Sequence, residues 1–68
     1  MKIDKIRLAE LINKEHGGNS VDFARSLGVH NSTVNRILNS KIEPGAKFIA
    51  GFMMYCKKKG IDINHYFF

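Results

Sequence analysis

The stretch "ARSLGVHNSTVNRIL", from Ala24 to Leu38, holds two short patterns of helical spacing separated by a Gly-Val pair. Ala24 and Leu27 belong to the first pattern, and Val34, Ile37 and Leu38 to the second. With about 100° per residue, Asn31, Asn35, Asn39, Ser32 and Arg36 fall at about 0°, 40°, 80°, 100° and 140°, while the three apolar residues fall between about 240° and 340°. A helix over these residues is anchored by one side and presents the other. Solvated helix faces are ordinarily filled by Glu, Lys, Gln and Arg, which favour helix, whereas Asn and Ser are poorer helix formers and need another reason to be there. Base edges supply one: Asn pairs bidentately with adenine N6 and N7, Arg with guanine O6 and N7, and Ser approaches bases or phosphates.

Working outward, punctuation falls where helices start and stop. A first helix is expected from about Asp4 to Glu15, with Leu8, Leu11 and Ile12 on one side and Gly17-Gly18 at its end. Asn19 can cap a second helix that buries Phe23, Ala24 and Leu27, with Asp22 suited to its first turn. Gly28 closes that helix, and the third spans about Asn31 to Asn39. Lys41 to Glu43 form a loop, Pro44 suits the first turn of a fourth helix, Gly60 ends it, and "IDINHYFF" suits one more short helical turn. No segment alternates apolar and polar residues strictly, so an all-α fold without a sheet is expected.

Composition sets the outer bounds. Sixty-eight residues give room for one core, hence a single domain over residues 1–68. No apolar run reaches the roughly 20 residues needed to cross a bilayer, and the N-terminus lacks the apolar stretch of a signal peptide, so a cytoplasmic protein is expected. The single Cys56 allows neither an internal disulfide nor a multi-cysteine zinc site. His16, His30 and His65 lie too far apart to pair as ligands at i+3 or i+4, and no metal or cofactor is expected. Cys56 reads as a small buried hydrophobe beside Phe48, Ile49, Phe52 and Met53, and Gly51 suggests a close helix approach. No acid-base pair, activated nucleophile or phosphate loop points to an enzyme. The net charge of +5 favours a polyanionic partner.

From Ser20 to Asn39, "SVDFARSLGVHNSTVNRILN" resembles the helix-turn-helix of the phage Cro and cI-type repressors, the XRE family. The likeness rests on the small Ala24, the Gly28-Val29 turn, and apolar Phe23, Leu27, Val29, Val34 and Ile37. It implies a five-helix, lambda-repressor-like domain that binds an operator in duplex DNA as a homodimer in a prokaryotic or phage-infected cell, associated with the nucleoid. It implies base contacts from Asn31, Ser32, Asn35 and Arg36, and backbone contacts from Ser20, His30, Asn39, Lys41, Gly45 and Lys47. Tyr66, Phe67 and Phe68 have two credible uses, closing the core or forming a self-association patch. A second reading is a protein-interaction module, antirepressor or antitoxin-like, that keeps the fold and binds another protein through the terminal aromatics.

Overall fold

A computed structural model describes residues 2–40 and 42–68. Four α-helices follow one another, α1 over Lys5–His16, α2 over Ser20–Leu27, α3 over Asn31–Asn39 and α4 over Ala46–Lys59, and a 3-10 turn spans Ile63–Tyr66. The fold is all-α, and its fifth helical element is a single 3-10 turn rather than an α-helix.

Local chemistry fixes most boundaries. Asp4 caps α1, its carboxylate accepting from the Arg7 amide at 3.1 Å and lying 3.3 Å from Arg7 Nε. Asn19 Oδ1 accepts from both Val21 and Asp22 amides, so one side chain satisfies two of the donors that a helix start leaves open. Gly28 ends α2 at φ +75°, a left-handed conformation that side-chain-bearing residues adopt only with strain, and the Val29 amide then returns to the Ala24 carbonyl at 3.0 Å. That turn sends the chain into α3 within three residues.

Pro44 is placed differently from the expectation that it opens the fourth helix. Gly45 is the N-cap, with extended backbone, and α4 begins at Ala46, so Pro44 stands just before the cap. Proline restricts the residue before it to extended geometry. Glu43, the residue so restricted, also ties the loop down, because its Oε1 accepts from the Ile3 amide at 3.1 Å.

The helices meet around Phe52, which is fully buried. Phe23, Phe48, Tyr55, Tyr66 and Phe67 all lie within 6.5 Å of its ring, centroid to centroid. Aromatic rings carry large apolar area for their number, which suits a chain with room for one core. The two ends of the chain close over this cluster. Lys2 and Phe68 exchange backbone hydrogen bonds at 2.8 Å, and the Asp4 amide donates to the Tyr66 carbonyl at 2.7 Å. The antiparallel bridge between Ile3 and Phe67 is the sheet-like pairing present, and no strand forms among the described residues.

This closure separates the terminal aromatics from one another. Tyr66 is 7% exposed and Phe67 packs against the core, which removes Tyr66 from any self-association patch, whereas Phe68 is 76% exposed. Cys56 is buried as expected, and burial, with Asp62 nearby, pushes its thiol up to about 11. Gly51 also behaves as its position suggests. A Cβ there would run into the backbone carbonyl oxygen of Leu27 and come within 3.3 Å of the Leu27 carbonyl carbon and Cβ, so α4 lies directly on the end of α2.

Candidate nucleic-acid interface

The two sides of α3 separate as the angular count requires. Val34 and Ile37 are buried and Leu38 is half-buried, while Ser32, Asn35, Arg36 and Asn39 are exposed and Asn31 is half-buried. The buried side packs chiefly against α2 and also meets α1, so the exposed polar row is carried on a helix fixed from behind. The row contains no carboxylate.

Hydrogen bonds hold several of these short side chains. His30 is the N-cap of α3, its Nδ1 accepting from the Ser32 amide at 3.2 Å and lying 2.9 Å from Ser32 Oγ. An accepting Nδ1 requires the tautomer with its proton on Nε2, so the outer edge of the ring presents a donor. Ser20 Oγ lies 3.2 Å from Asn35 Oδ1 and donates to it. The carboxamide oxygen keeps a second lone pair and the NH₂ keeps both donors, so Asn35 retains the donor and acceptor pair that matches an adenine edge. The sequence suggested separate roles for Ser20 and Asn35, and the fold joins them.

The remaining candidates lie around the loop that follows α3. Ser40 ends the helix, its amide bonded to the Arg36 carbonyl at 2.9 Å, and its own carbonyl accepts from Lys5 Nζ. Lys41 lies outside the described residues. Gly45 and Lys47 are exposed at the start of α4, where no side chain caps the helix. Thr33, Arg36, Ile42, Glu43 and Gly45 line one shallow depression. Glu43 was not among the residues singled out from sequence. It places one acid beside Arg36 and at the same time fixes the loop through Ile3, a contact across 40 positions.

Behind the interface, His16 links three helices. Its side chain, 6% exposed, meets Asp22 Oδ2 through Nδ1 at 2.6 Å and Tyr55 OH through Nε2 at 2.8 Å. Burial, followed by the nearby Glu15 carboxylate, pushes the Tyr55 phenol up to about 12, so the hydroxyl stays protonated and able to donate. The His16 and Tyr55 rings both pack edge-on against Phe23, so this network ties the helices to the core. Among the described residues no three His, Cys, Asp or Glu side chains converge as metal ligands, and no helix is long and apolar enough to cross a membrane.

Comparison of the chain with protein-family models, curated proteins and solved structures finds no match in any of the three. The functional reading therefore rests on the chemistry of the surface itself.

Proposed function

We propose that the chain is a sequence-specific duplex-DNA-binding transcriptional regulator, a Cro/cI-like repressor in which α2 and α3 act as the helix-turn-helix of a lambda-repressor-like domain. The observation that carries this reading is the outward polar row of half-buried Asn31 with exposed Ser32, Asn35 and Arg36, free of carboxylates on a helix whose other side is buried. A protein-binding surface has little use for such a row, and major-groove base edges use these groups directly. Arg36 reads guanine and Asn35, oriented by the Ser20 hydroxyl, reads adenine, while His30, Asn39, Lys41, Lys47 and the amides near Gly45 hold the phosphates. The protein works as a homodimer, because one recognition helix reads only a few base pairs and a two-fold pair places two of them about 34 Å apart. Phe68 and Ile6, each 76% exposed and lining one depression, supply apolar surface for the second copy. The protein acts in the cytoplasm at the nucleoid, catalyses no reaction and needs no cofactor.

Selection from a random duplex pool at physiological salt, against excess nonspecific competitor, tests this reading. A two-fold symmetric site with half-sites one helical turn apart is expected, with affinity falling steeply as salt rises. Failure to enrich any sequence overturns it. The exposed Phe68 favours one other reading, an antirepressor or antitoxin-like module that binds a protein through this end of the chain. That reading takes over if no sequence is enriched and Phe68→Ser abolishes capture of a partner protein.

A further inference from the structure

A second surface lies at the other end of α2. Because α2 runs from Ser20 to Leu27, its two ends are separated by roughly 10 Å of helix rise. Ser20 at the first end contacts Asn35. At the second end, the close approach allowed by Gly51 forms a groove between α2 and α4. Its floor is apolar, made by Leu27, Gly51, Tyr55 and Met54, and its rim carries Arg25, Lys58 and Lys59, with no carboxylate lining it. Met54 is 65% exposed there. Lys59 is partly engaged, 3.3 Å from Glu15 and lying over the Tyr55 ring, while Arg25 and Lys58 stand exposed.

We infer that this groove docks an acidic segment of another protein, one that carries an apolar side chain among its carboxylates. Charge complementarity selects the occupant. The rim attracts anions, and a second copy of this chain is poorly suited to supply them. Five of its six acids already hold partners: Asp4 on Arg7, Glu15 on Lys59, Asp22 on His16, Glu43 on the Ile3 amide and Asp62 on the Asn64 amide. The apolar floor separates a peptide from a phosphate backbone, which has no apolar group to place against Met54. Methionine is flexible and polarisable, and it moulds to apolar side chains of varied shape. No residue of α3 lines the groove, so on the proposed function, which this point rests on, the docked segment leaves the α3 row open to DNA.

The test uses the full chain with ¹³C-methyl-labelled methionines and a synthetic amphipathic peptide with Leu at helical spacing and Glu elsewhere. Titration is expected to shift the Met54 methyl more than the Met53 methyl. Replacing every Leu by Ser in the peptide, or combining Arg25→Glu with Lys58→Glu in the protein, is expected to weaken binding by about tenfold or more. The methyl readout needs no variant and so stands even if the charge reversals disturb folding. Equal binding of the Ser peptide, an unmoved Met54 methyl, or displacement of the peptide by a random-sequence duplex that itself shifts Met54 would each overturn the assignment.

Discussion

Neither α3, with its outward row, nor the set of residues lining the groove between α2 and α4 includes a carboxylate, yet the two surfaces are built largely from different kinds of side chain. Apart from Arg36, the α3 row consists of short groups, two of which are held by hydrogen bonds, Ser32 with His30 and Asn35 with Ser20. Short, fixed donors and acceptors distinguish one hydrogen-bonding pattern from another. The groove offers Arg25, Lys58 and Met54, long side chains with many rotamers, which adapt to whatever is anionic and apolar. In the proposed roles, the same net charge would serve selection of sequence at one surface and selection of composition at the other.

Breaking the shared support should remove both surfaces at once, and this is the largest effect expected. Gly51→Val places branched carbons against the Leu27 backbone, which has no side chain to swing away, so α4 must separate from α2. Overpacking of this kind costs about 3 kcal/mol. A chain of this size is stabilised by only about 3–10 kcal/mol, so the variant should show a large drop in its thermal midpoint. A midpoint unchanged from wild type would mean that the helices do not depend on this approach.

High pH should weaken the same support gradually. The Cys56 thiol is raised from 9.0 to about 11 and the Tyr55 phenol from 10.0 to about 12, both chiefly by burial. Because the folded state holds these protons more tightly than the unfolded state, their contribution to stability is complete below about pH 9. It falls as pH rises, through about 11 for Cys56 and about 12 for Tyr55. Denaturant melts across this range should show the loss, and Tyr55→Phe should retain more of its neutral-pH stability at the alkaline end.

Arg36→Ala separates the two surfaces. If α3 reads bases, the variant loses about 1–3 kcal/mol of operator affinity concentrated at one base position and binds the acidic peptide as before. Arg25→Glu should do the reverse. Equal weakening by Arg36→Ala across all operator variants would reduce Arg36 to a phosphate contact.

His30→Ala sharpens the claim that α3 is held in place, with an expected cost of about 1 kcal/mol from the lost cap. His30→Asn should restore most of it, since Asn is among the best N-cap residues. A loss of stability in both variants alike would show that the ring, and not its acceptor, matters.

These effects divide by how far apart in sequence their causes lie, and so does what the sequence disclosed. The helix boundaries at Asn19, Gly28 and Gly60 were legible because each cap acts on residues within a few positions. The row from Asn31 to Asn39 followed from angular spacing alone. Pro44 stands two residues before the first turn it was expected to open, because a proline fits both the first turn and the residue before a glycine cap. Contacts between distant residues left no local signal. Ile3 on Glu43, Lys59 on Glu15 and the pairing of Lys2 with Phe68 depend on how the helices pack. The burial of Tyr66 and exposure of Phe68 could not be read from "HYFF", since both residues are aromatic and only one of them packs against Phe52.

Ser20 carries the smallest expected effect and the sharpest division between two roles. Its hydroxyl donates to Asn35 Oδ1, so if it acts by orienting that carboxamide, Ser20→Ala should cost about 0.5–1.5 kcal/mol of operator affinity. The loss should appear at the base read by Asn35 and nowhere else. If the hydroxyl instead meets a phosphate, the loss spreads over all sequences. A double-mutant cycle with Asn35→Ala decides the matter, because residues sharing a hydrogen bond are non-additive while independent contacts sum. Coupling is expected, with Ser20→Ala nearly silent once Asn35 is gone. Additive losses would return Ser20 to the phosphate backbone and leave Asn35 oriented by α3 alone.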